Sequence, residues 1–435
     1  MMYSSTVLHR LKHISSQKAY QHIVRLAGDI GVRIAGTDPE KQGIDYLAGV
    51  FSGFGLLPVV ERFPHPIWHE VGTVLEIVGR NNQFIPGISV CFGGTGLVEG
   101  QVIALGNPST LADVQHLNLE GKIALIDGRD VRVDYPDNPQ TDLLLDRGVL
   151  GLIFVAGESQ LGGLPQAYYN YKRWFKGGTP PAVMVSYDDS QRMISRRVRM
   201  QVEADVSWSE SANITVEILG AEQRDEIILV TAHHDTTPAS PGATDNAGGC
   251  AIVAELARMY LSSGAPKRTI RFIQFGGHET GIHGSETWLR HHLNDIEKIV
   301  AVINFDGQGA LEGEDHTWLL GNDQWLNLIQ EVISQGGHPI ATKIEPAGVD
   351  MMNFSALGIV GVNLGRRSAG NRAHTPLDNL ECTGHAGLEV GLMFGGALLS
   401  ALADSLGFGN KQRMPWNQLR VAREYSLRWG WGIVS

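Results

Sequence analysis

The sequence predicts an α/β fold: a helix-flanked, mixed but mostly parallel sheet that carries a small β-rich insert. Three observations lead there. From Glu226 onward, buried-type strand segments alternate with helix segments, the pattern of a sheet covered on both faces. Between about 86 and 195 that pattern breaks into short apolar runs separated by Gly, Pro and Asn. The length, 435 residues, exceeds the roughly 250–300 residues at which a single hydrophobic core stops growing.

Taken in order, residues 17–55 read as two helices joined by the turn RIAGTDPE. The second starts at Asp38–Pro39 and ends near Phe54–Gly55, because Pro suits a first helical turn and Gly a helix end. Extended segments LPVVERF and TVLEIVG follow, the second alternating as a strand does. LVEGQVIAL, GKIALID, VLGLIFVA and PAVMVS are the short strands of the insert. RVRMQVEADV and NITVEILG then resume long alternating strands. Next come strand EIILVTAH, helix NAGGCAIVAELARMYL, strand RTIRFIQF, helix GSETWLRHHL and strand IVAVINF. Helix DQWLNLIQEVISQ, strand GIVGVNL and an apolar helix near 387–406 complete the pattern. The expected division is a discontinuous main domain, 1–85 and 196–435, with an insert at 86–195.

Composition narrows the function. A formal net charge of −11 argues against nucleic acid or an anionic membrane as the main partner. No run of ~18 apolar residues calls for a membrane span, and the N-terminal stretch lacks the apolar core of a signal peptide. Cys91, Cys250 and Cys382 are odd in number and far apart, which suits reduced thiols and a cytoplasmic location. Homo-oligomerisation is left open.

Chemistry concentrates in five stretches: TAHHDTT, PGATDNAGG, FGGHETGIHGS, VINFDGQG and RAHTPLDN. They carry His233, Asp245, Glu279, Asp306 and His374. His233, Glu279 and Asp306 fall at or just after predicted strand C-termini, where open α/β sheets place their sites. Asp245 opens a helix and alone would read as an N-cap. Two imidazoles and three carboxylates suit two divalent cations bridged by a carboxylate, ~3.5–4 Å apart, able to activate one water for hydrolysis. Zn²⁺ is the default for mixed His and carboxylate donors, with Mn²⁺ and Co²⁺ compatible. Asp235 lies two residues after His233, within range to orient its ring. Arg366, Arg367 and Arg372 precede His374 and read either as a pocket that pairs a substrate carboxylate or as a solvated basic loop.

HHD, GATDN, HETGIHGS, NFD and AHTPLDN resemble the motifs of the di-zinc aminopeptidases, the family that includes bacterial leucyl aminopeptidase, aminopeptidase Y, glutamate carboxypeptidase and the inactive transferrin receptor. The resemblance covers about 17–85 and 196–406, and the insert is similar to the protease-associated domain of several members. It implies a di-zinc exopeptidase fold and a zinc-dependent exopeptidase, an aminopeptidase by frequency, acting on short peptides. By the same resemblance His233 and Asp306 would hold one zinc, Glu279 and His374 the other, and Asp245 would bridge them. Asp235 would match the His-orienting carboxylate. One position departs: the family has two adjacent Glu, a general base and then a ligand, whereas this chain reads His278–Glu279. His278 would take the base's role, since imidazole accepts a proton near neutral pH, or would instead coordinate metal or face away. The alternatives are a metal-loaded pseudo-peptidase that binds peptides or proteins without cutting them, and another amide-bond reaction such as cyclisation or deacylation.

Overall fold

The structure is a computed structural model. It describes residues 3–106, 111–127, 139–156, 163–165, 167–169, 171–368, 372–404, 408 and 414–428. The chain forms two compact units: 1–65, 210–369 and 377–435 make the first, 66–209 and 370–376 the second.

In the first unit the strands run in the order Ile340–Lys343, Gly313–Leu320, Gly361–Ser368, Ile299–Phe305, Gln223–His233, Arg268–Phe275 and the end of Arg197–Ile218. Four of the six pairings are parallel. The antiparallel ones set Gly313–Leu320 against Gly361–Ser368 and Arg268–Phe275 against Arg197–Ile218. Strand alternation feeds two cores. Ile228, Val230 and Ala232 enter one, with helices Gly248–Ser263 and Glu389–Asp404. Ile227 and Leu229 enter the other, with Trp288, Met351 and Phe354. Side chains of successive strand residues point to opposite faces, so each strand had to be apolar throughout to be covered on both. The central strands Gln223–His233 and Ile299–Phe305 are therefore mostly apolar and almost entirely buried over their second halves.

The helices fall close to the sequence expectation. Asp38–Gly53 carries Pro39 in its first turn, and Asp323–Gly336 is capped by Asn322, whose side chain accepts from Trp325 N. His385–Asp404 is long and apolar enough to cross a membrane, but its most apolar stretch is 72% buried within the protein, so core packing accounts for its composition. Two strands were not expected. Gly313–Leu320 opens with Gly-Glu-Asp-His and only its second half is apolar, and Ile340–Lys343 is a mostly exposed edge.

The second unit pairs the beginning of Arg197–Ile218 with Gly96–Gly106, then continues through Lys122–Asp127, Gly151–Val155, Ala182–Val185 and Ile88–Ser89. Ile123, Leu152, Ile153, Val183, Val198 and Met200 form its own core. The expected strands of the 86–195 insert lie within it. Its middle strands are parallel, and short helices such as Tyr171–Lys176 run between them, so the unit contains α/β crossovers where a β-rich module was expected. Its bounds also reach further in both directions than 86–195.

One half-buried titratable group gives the first unit a pH signature. His22 Nδ1 lies 2.7 Å from Tyr46 Oη, and burial pushes its pKa down to about 4. The unfolded chain takes up this proton near the ordinary ~6.5, while the folded chain resists it. Stability contributed by the neutral ring is therefore complete above ~6.5 and is lost as pH falls toward about 4. His22→Gln is expected to flatten that slope, measured by urea unfolding at about pH 4.5 and 7.

Candidate metal centre

The strand Gln223–His233 ends on His233, and the next residues leave the sheet. His233 and His234 part as strand alternation requires. His234 Nε2 turns to buried Glu40, 3.2 Å away, while His233 Nε2 faces Asp245 Oδ1 at 3.2 Å and Asp306 Oδ1 at 3.5 Å. Asp306 follows directly on Ile299–Phe305, the parallel neighbour. Oxygens of Glu279 and Asp245 and a nitrogen of His233 lie within 4.8 Å of one another, as do atoms of His233, His278 and Asp306. His233, Asp245, Glu279 and Asp306, named from sequence, thus converge at the carboxyl ends of the strands. His374 is buried with a left-handed backbone, φ 63°, and belongs to the second unit through the segment 370–376.

Asp235 organises the centre. Its Oδ1 accepts from His278 N and its Oδ2 from Glu279 N, each at 3.1 Å, and Oδ1 lies 3.6 Å from His233 Nδ1. One carboxylate thereby fixes the chain that bears three of the candidate groups. Burial resists its charge, yet His233 and the other nearby histidines hold its pKa well below the usual carboxylate range. His233 moves the other way: burial opposes its charge, but Asp235, Asp245 and Asp306 outweigh that and raise its pKa well above the ordinary value.

The Asp245 segment is held from two sides. Asp378 Oδ1 accepts from Thr244 N and Oγ1, both at 2.7 Å, and Oδ2 from Asp245 N at 3.0 Å. Asp378 thus holds this segment in place. Burial and the neighbouring Asp245 push Asp378 up to about 6. On the other side Asn246 donates to Phe305 O at 2.8 Å and accepts from Gly249 N and Gly307 N. The glycines of this motif answer to the backbone: a Cβ on Gly248 would strike Gln308 O, and one on Gly249 would strike Phe305 O. Their smallness lets the helix start press against the Asp306 strand end.

The donor set fits a metal. In a zinc tetrahedron with bonds of ~2.0–2.1 Å, donor atoms stand roughly 3.3–3.4 Å apart. The 3.2 and 3.5 Å separations around His233 Nε2 match those edges. That nitrogen is buried and makes no hydrogen bond of its own, although carboxylate oxygens surround it.

Two groups escaped sequence reading. Asp350, fully buried, has its Oδ2 2.9 Å from His278 Nδ1. Arg33, also fully buried, donates to the carbonyls of Leu26, Gly31, His234, Pro241 and Gly242, so it ties down both loops that flank the centre. Neither has a local signature, since a single Asp before Met351 reads as a helix cap and Arg33 stood in an irregular turn. The expected substrate role of Arg366 gives way to a structural one. It faces Asp315 across the antiparallel pair, bonds it at 2.5 Å, and spends its other donors on Ala310 O and Leu311 O. Arg367 is exposed, and half-buried Arg372 belongs to the second unit.

Residues 213–389 match the sequence profile described as Peptidase family M28. The chain is 27% identical over 348 residues to Aminopeptidase YwaD of Bacillus subtilis strain 168, covering 79% of this chain and 71% of that one. Its fold matches the Peptidase M28 precursor of Shewanella amazonensis SB2B with a TM-score of 0.76 and 21% identity, over 94% of this chain and 98% of that one. It matches BSAP, a zinc aminopeptidase from Bacillus subtilis, with a TM-score of 0.71 and 22% identity, over 92% and 98%. That profile match spans the segment that carries His233, Asp245, Glu279, Asp306 and His374, so this part of the chain is similar to peptidase family M28.

Proposed function

We propose that this chain is a zinc-dependent exopeptidase, an aminopeptidase that hydrolyses short peptides. The observation that carries the reading is the convergence of His233, Asp245, Glu279 and Asp306 around one buried point at the strand ends. The names of its relatives, an aminopeptidase and a zinc aminopeptidase, support the reaction class. His233 and Asp306 would hold one zinc and Glu279 the second with Asp245 between them, and the family pattern adds His374 to the second. Bound zinc would polarise the scissile carbonyl and bring the pKa of a bound water near neutrality.

The chain's own residues do the positioning. Asp235 fixes the peptide units of His278 and Glu279 and the ring of His233, and Asp378 and Asn246 fix Asp245 relative to the Asp306 strand end. The Asp350 carboxylate accepts from His278 Nδ1, which leaves the lone pair on Nε2. That Nε2 points to the Asp306 side, 3.7 Å from Oδ2. Burial and the adjacent His233 oppose a charge on His278, but Asp350 and Asp306 raise its pKa above the ordinary value.

The test is turnover of zinc-loaded protein on dipeptides with free and with blocked amino termini. Cleavage of the free series alone supports the aminopeptidase reading. Zinc binding with no turnover on any peptide would overturn it in favour of a metal-binding pseudo-peptidase. His278→Ala is expected to lower turnover by roughly 10²–10⁴, the usual worth of a group that handles the reaction's proton or its nucleophile. His278→Glu, which returns the family's carboxylate, is expected to keep or raise it.

A further inference from the structure

Two imidazoles share the centre in an arrangement the family pattern does not contain. The rings of His233 and His278 lie face to face, centroids 3.8 Å apart and planes 8° from parallel. Their Nε2 atoms point the same way, to opposite oxygens of one carboxylate: His233 to Asp306 Oδ1 at 3.5 Å and His278 to Asp306 Oδ2 at 3.7 Å. All three side chains are largely buried. With Nδ1 of His278 turned to Asp350, the groups that meet here are two ring lone pairs and a carboxylate, all acceptors. Acceptors that converge in a buried place repel one another unless something positive stands between them. Two ring protons would do so only by setting two imidazolium charges in face contact, where their repulsion is strong in a low dielectric. One divalent cation meets the need with both rings neutral.

Resting on the reading of this centre as metal-binding, we propose that His278 is itself a metal ligand, sharing a cation with His233 and Asp306, and that Asp350 is its positioning residue. The outer half of this arrangement is already built. Metal-bound histidines donate their second ring N–H to a carboxylate or carbonyl, which fixes the tautomer and raises the ring's basicity. His278 does so to Asp350 at 2.9 Å. Asp350 is held in turn by Ser285 Oγ at 2.5 Å, and Asn353 Nδ2 donates to that same Oγ at 2.9 Å. Replacing the family's Glu by His then does more than change a proton acceptor. It converts that position into a nitrogen donor and biases the centre toward ions that favour imidazole, Zn²⁺, Co²⁺ or Ni²⁺, over Mn²⁺.

The experiment is metal binding by the whole chain, stripped with a chelator and titrated with Zn²⁺ and Co²⁺ against a chromophoric competitor. Wild type, His278→Ala and Asp350→Asn are compared, each first shown to have the unmodified circular dichroism. His278→Ala is expected to lose one ion or to bind it at least ~100-fold more weakly, and Asp350→Asn to weaken the same ion by about 10–100-fold. If the variants fail to fold, the wild-type protein still decides: on Co²⁺ loading, the ring ¹⁵N signals of His278 should show contact shifts far outside the diamagnetic range. Unchanged stoichiometry and affinity in His278→Ala, or an unshifted ring, would overturn the proposal while leaving the metal centre in place. Wild-type protein that binds neither ion would overturn both.

Discussion

Asp245→Ala is expected to strip the centre of metal and to abolish measurable hydrolysis while the fold persists. Asp245 Oδ1 stands 3.2 Å from His233 Nε2, and a Glu279 oxygen lies within the same small cluster, so this carboxylate belongs to both halves of the site. Losing it would remove one candidate donor and one negative charge from the cluster. The loss of several kcal/mol of transition-state stabilisation amounts to about 10³-fold or more in rate. The fold should survive because the segment is anchored by Asp378, bound to Thr244, and by Asn246, bound to Phe305 O. Metal content by mass spectrometry, with turnover on the same sample, checks both halves. Full metal in Asp245→Ala would remove this residue from the ligand set.

Arg33→Ala should have the largest effect on stability, a loss of about 3–5 kcal/mol, as for breaking a buried charged network from one side. Five carbonyl oxygens on three separate stretches of chain accept from this one guanidinium. Truncation leaves them buried without a donor, each at a cost of roughly 1–3 kcal/mol before relaxation. Burial lowers the Arg33 pKa and the nearby Cys250 and Asp235 act against that, so the side chain stays charged through the ordinary pH range. Arg33→Lys should recover little, because a point-like ammonium cannot reach what a planar fork reaches. Urea unfolding of both variants measures this. Metal affinity should fall with stability, since His234 O and Gly242 O lie on the two loops that bear His233, Asp235 and Asp245.

What the sequence made legible follows from how local each signal is. The strands ending at His233, Phe275 and Phe305 are buried on both faces, so they are rich in apolar residues and their ends are visible. Three of the candidate ligands, His233, Glu279 and Asp306, fall at or just after those ends, which places them on one edge of the sheet before any coordinates exist. Gly313–Leu320 was missed because its polar start hides a strand that pairs along its whole length with Gly361–Ser368. That pairing also decided Arg366. The residue opposite it, Asp315, is some fifty positions earlier in sequence, and nothing local announces the contact.

The same distance in sequence hid the supports of the site. Asp350 meets His278 across 72 positions, and Arg33 meets His234 across 201. A pattern search finds residues that share a motif. It does not find a lone buried charge whose partners are backbone carbonyls or a ring from another element. The His278 substitution was legible at once as a departure, but its consequence was not, because the difference between a proton acceptor and a ligand lies in what holds the other ring nitrogen.

In the proposed function, buried donors at the strand ends hold metal, and this metal makes the chain an exopeptidase. Its most direct test is a zinc titration of the chelator-stripped protein, following bound zinc and cleavage of a free-amino dipeptide together. Two bound equivalents are expected, with turnover that appears only as they fill and the amino-blocked dipeptide left intact. Equal turnover in the metal-free protein, or a protein that takes up no zinc at all, would contradict it.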